Sequence, residues 1–115
     1  MKALLISSLN LLSTLTCLGQ VIIDGVTIDT LTTPYCQLSC DNPNSFGKAR
    51  IRIDYGQRFV DTGFNRQKIG DAKNGDIRFN SSIDALNFMA RNGWELVKFT
   101  TQKETFIYLL RRRER

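Results

Sequence analysis

The chain of 115 residues contains no histidine. That one absence removes Ser-His-Asp and Cys-His catalysis and every imidazole metal site. Cysteine is scarce too, at three residues, so no four-thiolate zinc site can be assembled from Cys36 and Cys40. No Gly-Lys-Ser/Thr phosphate loop occurs, and the stretch Gly63–Gly75 has no dinucleotide fingerprint. No internal repeat and no low-complexity tract is present. Asp54, Asp61, Asp71, Asp76 and Glu95 could in principle supply a carboxylate pair, but no spacing selects two of them. The composition therefore excludes most recognisable enzymes, and neither a cofactor nor a metal is expected.

Charge is also missing where the bulk value suggests it. The net charge is +5, yet four arginines stand in the last five residues, Arg111–Arg115. Without Lys2 and those five residues, the 16 basic side chains become 11 and the 11 acidic ones become 10. The body is nearly neutral and the basicity is local. A nucleic-acid-binding domain spreads Lys and Arg over a face or groove. A short basic run at a chain end reads as a solvated tail, here residues 112–115, and specific nucleic-acid binding is not expected.

No charge falls between Lys2 and Asp24. One lysine, an apolar run and a small residue at Gly19 form the layout of a secretory signal over residues 1–19. Ser7, Ser8, Asn10, Ser13 and Thr14 dilute the run, which is short for a membrane span. Placed at helical steps, Leu4, Leu11, Leu15 and Leu18 cluster, but Ser8 falls among them and Leu9 opposite. That argues against a helix packed on the domain. Cleavage after Gly19 would start the mature chain at Gln20. A lipid anchor at Cys17 is the alternative, although Thr14 and Thr16 fit that signal poorly. Retention in the cytoplasm is the other.

Cleavage would leave Cys36 and Cys40. An exported pair suggests a disulfide by count. In one strand, however, the two Cα atoms stand ~13 Å apart, beyond the ~7 Å a bridge allows. Buried free thiols are the other reading.

Residues 20–33 read as a lead-in, and a single domain is expected over 34–111. Tyr35–Cys40 is the first strand candidate, beginning after Pro34. Lys48–Tyr55 alternates, with Ile51, Ile53 and Tyr55 inward, so the two strands form a hairpin. The stretch Gly56–Gly75 offers only Phe59, Val60, Phe64 and Ile69 as anchors. Asn74-Gly75 predicts a type I′ turn, followed by a short strand at Asp76–Phe79. Ser81 then opens a helix, with Asp84 completing a capping box. Ile83, Leu86, Met89 and Ala90 form the expected buried stripe. Arg91 suits the negative end of the helix dipole, and Asn92-Gly93 supplies a left-handed stop. Trp94–Phe99 and Thr105–Leu110 follow as strands joined by a turn at Gln102-Lys103. Both faces of the last strand are apolar, which predicts a central position. The expectation is an α+β domain: an antiparallel sheet of four or five strands with one main helix packed on one face.

The segments Asp84-Ala85-Leu86-Asn87-Phe88-Met89, Asn92-Gly93-Trp94-Glu95-Leu96-Val97 and Tyr108-Leu109-Leu110-Arg111 resemble a bacterial family of small domains of unknown function. Its members carry a Leu-Asn…Gly-Trp-Glu unit between a helix and a strand. Tyr35-Cys36, Asp54-Tyr55-Gly56-Gln57 and Phe79-Asn80-Ser81 are similar to the secreted members. The resemblance covers residues 35–111. It implies a small α+β fold and export, and no activity. Within the unit, Ser81, Asp84, Gly93, Trp94 and Glu95 have structural roles to fill: Gly93 ends the helix, Trp94 covers its open end, and Glu95 faces solvent or a basic neighbour. The functional expectation is an exported, non-enzymatic binding or interaction module of unknown ligand, with an envelope protein as one candidate partner. The rival is an intracellular module whose basic tail binds nucleic acid or acidic protein. Ligand and oligomeric state are not specified by the sequence.

Overall fold

The structure, a computed structural model, describes residues 20–43, 47–57 and 66–113. The expected leader, Cys17, the anchors Phe59, Val60 and Phe64, Asp61 and the last two residues lie outside the described residues. The fold is α+β, with two antiparallel four-stranded sheets and one α-helix among the described residues. The main sheet contains β3 (Tyr35–Asp41), β4 (Arg50–Asp54), β7 (Trp94–Gln102) and β8 (Thr105–Arg112), in the order β4-β3-β8-β7. Helix α1 (Ser82–Arg91) packs on one face of it.

Alternation explains β3 and β4. Cys36, Leu38 and Cys40 point into the core, as do Ile51 and Ile53 across from them, while Gln37, Arg50, Arg52 and Asp54 stay in solvent. Strand β8 lies between β3 and β7, the central position that its two apolar faces predict. Only one face is fully covered: Tyr108 and Leu110 are buried, whereas Ile107 and Leu109 on the other face are half-buried.

The second sheet is absent from the sequence expectation. It joins β1 (Ile22–Ile23), β2 (Val26–Thr27), β5 (Ile69–Asp71) and β6 (Gly75–Asp76) in the order β2-β1-β5-β6. Its strands are too short to show periodicity. The lead-in is therefore part of the fold. Val21, Ile23 and the buried Ile28 of a 3-10 turn (Ile28–Thr30) belong to the same core as Leu38 and Trp94. One signal for this was present. Asp24 and Gly25 have φ +48° and +85° and connect the paired Ile23 and Val26. Positive φ at both central residues of a two-residue loop is the type I′ turn that Asp-Gly favours.

At Asn74-Gly75 the expected type I′ turn does not form. Gly75 alone is left-handed, φ +67°, and closes a three-residue loop after Asp71. The Asp71 carboxylate accepts from the Asn74 N–H at 2.6 Å and holds the loop. The next strand is correspondingly shorter than expected, because β6 ends at Asp76 and Ile77–Phe79 have no ladder. Phe79 is buried there, 5.4 Å from the Phe88 ring.

The helix starts and stops where the sequence places it. Ser81 Oγ accepts from the Asp84 N–H at 3.1 Å, and Gly93 has φ +92°. The Asp84 carboxylate reaches one residue further back than a standard capping box, to the Asn80 N–H at 2.9 Å. The buried stripe is a correction. Ser82, Ala85, Phe88 and Met89 face the core, while Ile83 is 55% exposed and Ala90 is exposed. Leu86 is half-buried against the core. The helix is turned because Ser82, polar and one position before Ile83, has a partner inside: its hydroxyl lies 2.9 Å from the Tyr108 hydroxyl. A buried hydroxyl pair satisfies both groups, so the rotation that buries Ser82 also seats Phe88 against Phe79.

Candidate functional site

The residues singled out by sequence fall into two groups. Ser81, Asp84, Gly93 and Trp94 are structural: the first three cap the helix, and Trp94 is 1% exposed beneath its end. Glu95 lies on the other face of the sheet, where its Oε1 accepts from Arg111 Nε at 3.0 Å and from Nη2 at 2.7 Å. Cys36 and Cys40 are buried free thiols with no disulfide between them. Burial pushes the Cys36 thiol up to about 12, and burial and the Asp41 carboxylate raise Cys40 as well. Such thiols are poor nucleophiles. Among the described residues no group of three or more Cys, Asp or Glu side chains could hold a metal ion.

The basic tail is likewise drawn into the fold at its start. Arg111 pairs with Glu95, and Arg112 lies inside β8. The Arg112 guanidinium stacks over the Trp94 ring, 5.1 Å from its centroid. Nη1 donates to the carbonyls of Asp29 and Leu31 at 3.1 Å each, and Nη2 to that of Ile28 at 2.9 Å. Reading residue 112 as solvated tail was therefore wrong. The reason is the planar fork of arginine, which satisfies several carbonyls at once. Two buried donors in this region, Trp94 Nε1 and Arg112 Nε, have no acceptor among the described residues.

What remains for function is the edge of the main sheet. Its two edges differ. At β4, side chains occupy the outward backbone groups of Ile53 and, just past the strand, the Tyr55 N–H. Gln67 accepts from the Ile53 N–H at 2.6 Å and donates to the Ile53 carbonyl at 2.9 Å. Gln57 accepts from the Tyr55 N–H at 2.8 Å. At β7 no strand pairs with the outer side among the described residues. The ladder shows which groups point outward. Arg112 N–H bonds to β3's side, at the Pro34 carbonyl, and Arg113 N–H to β7's side, at Gly93. Even-numbered residues of β8 thus face β3 and odd-numbered ones face β7. Phe99 and Thr101 stand opposite Tyr108 and Phe106, so their own N–H and C=O groups face the free edge.

This edge is apolar. Leu96, Val97 and Phe99 are 47%, 46% and 46% exposed. An irregularity between Leu96 and Lys98 inserts Val97, so that Leu96 and Phe99, three apart, share the helix-bearing face. Phe99 is held in place by Phe106, edge-on at 5.5 Å, and by Tyr108 at 4.9 Å. Tyr108 meets Ser82, which places the first turn of α1, with the exposed Ile83, at the same end of the sheet. Bulges and lysines are the usual guards of an exposed edge. Here one bulge and Lys98 guard the middle and leave Phe99–Gln102 open. The sequence placed a strand at Trp94–Phe99 but gave no sign of its exposure, which depends on where the helix sits.

No family model matches the chain, and no curated protein or solved structure is significantly similar to it. Among the described residues no helix is long and apolar enough to cross a membrane.

Proposed function

We propose that the protein is an exported, non-enzymatic interaction module that takes an extended segment of an envelope protein along the free edge of β7. The observation that carries this reading is the open edge at Phe99–Gln102 beside three half-exposed apolar side chains. Backbone groups of an edge supply affinity to an added strand, and flanking apolar side chains supply selectivity. The charge-free leader layout and the resemblance of Tyr35-Cys36, Asp54–Gln57 and Phe79–Ser81 to secreted domains support export. The tail-based rival is weakened, since Arg111 and Arg112 already have intramolecular partners.

The test is site-specific photo-crosslinking in the native cell. A photoreactive residue replacing Phe99 should give a discrete protein adduct, and one replacing Lys73 should not. Adding Thr101→Pro, which deletes an outward N–H without removing a ladder donor, should abolish the adduct while the folded domain survives. No adduct from position 99, or an adduct indifferent to Thr101→Pro, would overturn the assignment of the edge.

A further inference from the structure

The described chain becomes anchored abruptly. Val21 is fully buried, and its N–H donates to Asp29 Oδ2 at 2.7 Å. From Ile22 onward the backbone is in the β1 ladder, paired to β2 and β5. Gln20, one residue earlier, is exposed, and its side chain has no hydrogen-bond partner among the described residues. Among the described residues, burial and strand pairing thus begin just after the exposed Gln20. The expected cleavage after Gly19 would make this same residue the N-terminus.

We propose that Gln20 is a modification site: once released as the N-terminal residue, it closes on itself to pyroglutamate. The inference rests on the export reading. The α-amine, as its free base, attacks the side-chain carboxamide carbon Cδ. A bond forms between the α-nitrogen and Cδ, the Cδ–Nε2 bond breaks, and ammonia leaves with a proton taken from the α-nitrogen. No oxidant, reductant or co-reactant takes part. An α-amino group titrates at about pH 7.7–8.0, so a substantial share is nucleophilic near neutrality.

The fold favours this step in two ways. No described residue hydrogen-bonds to the carboxamide of Gln20. The Asp29 carboxylate accepts from the Val21 N–H, and that donor belongs to the peptide bond that survives ring closure. Ring closure therefore leaves the anchor intact. It removes the positive charge of the terminus beside a buried strand and leaves a blocked end that aminopeptidases for free amines do not attack.

The experiment is peptide mapping of the full chain isolated from its native cell. The N-terminal peptide should begin at Gln20 and be lighter by one molecule of ammonia than the linear sequence. Pyroglutamyl aminopeptidase should remove that residue and expose Val21. Gln20→Asn keeps the carboxamide but shortens it by one carbon, so the same closure would need a four-membered ring, and the variant should keep a free amine. A chain starting at linear Gln20 with a free amine overturns the inference and leaves export standing. A start at lipid-modified Cys17 does the same. A chain still beginning at Met1 overturns export and the inference together. A blocked Gln20→Asn chain shows a different blocking group and also overturns it.

Discussion

Arg112 lies over Trp94 and at the same time ties three carbonyls of the 3-10 turn, those of Ile28, Asp29 and Leu31, to the end of β8. The two residues are cross-strand neighbours, Trp94 on β7 and Arg112 on β8. One guanidinium thus joins the main sheet to the N-terminal segment, more than eighty residues away in sequence.

Arg112→Lys should destabilise the protein by about 2 kcal/mol or more, because an ammonium cannot reproduce the fork, and hydrogen bonds to charged groups are worth about 1.5–3 kcal/mol. Denaturant melts measure the loss. Hydrogen exchange should show it concentrated in residues 20–31. A variant as stable as the parent would remove Arg112 from this role.

The hydroxyls of Ser82 and Tyr108 form a mutual pair in the core. Ser82→Ala leaves the tyrosine hydroxyl buried alone, and Tyr108→Phe leaves the serine alone. Each should cost about 1–3 kcal/mol. The double variant should cost less than the sum, with a coupling of about 0.5–3 kcal/mol in a double-mutant cycle. Strict additivity would show that the two groups do not meet.

Glycines at 70 and 93 are required for different reasons. A Cβ at Gly70 would lie 1.7 Å from the Gly75 carbonyl oxygen, a backbone atom. Gly93 has open space but a φ of +92°. Gly70→Ala should therefore cost about 3 kcal/mol or more, in the range of severe overpacking. Gly93→Ala should cost about 1–2 kcal/mol, the penalty of a left-handed residue with a Cβ. Ser81→Ala should fall at about 1 kcal/mol, the loss of an N-cap acceptor. Equilibrium melts that rank Gly93→Ala above Gly70→Ala would contradict this order.

Stability should fall in alkali. Cys36 in the folded state is pushed up to about 12, from a reference value of 9.0. The folded state therefore holds its thiol proton over a range where the unfolded chain has lost it, and ΔG of unfolding declines as pH rises. Cys36 contributes its full share below pH 9 and loses it progressively up to about 12. The limiting slope is about 1.4 kcal/mol per pH unit for each such thiol. Urea melts between pH 8 and pH 11 on the parent and on Cys36→Ala test this, since the variant should lack that component. At pH 8 both Cys36 and Cys40 should resist alkylation until the protein unfolds.

The sequence by itself determined the features whose physics is local. Ser81, Asp84 and Gly93 bound the helix because capping groups and a left-handed φ act within a few residues. Strand β4 follows from alternation, β3 and β7 from apolar runs bounded by Pro34 and Gly93, and the central place of β8 from its two apolar faces. The tertiary structure decided everything that depends on a distant partner. Ser82 is inside and Ile83 outside because a tyrosine hydroxyl 26 positions later is there to receive the serine. Arg112 leaves the tail because carbonyls near the other end of the domain await its fork. Val21 and Ile28 enter the core because a second small sheet brings them there, built from strands too short for any periodic signal. Gln67 covers the outward groups of Ile53 on β4 and no described residue does the same at β7, so the exposed edge is a product of assembly. Burying a polar group is favourable only when its partner is in place, and no sequence window of one element contains that partner.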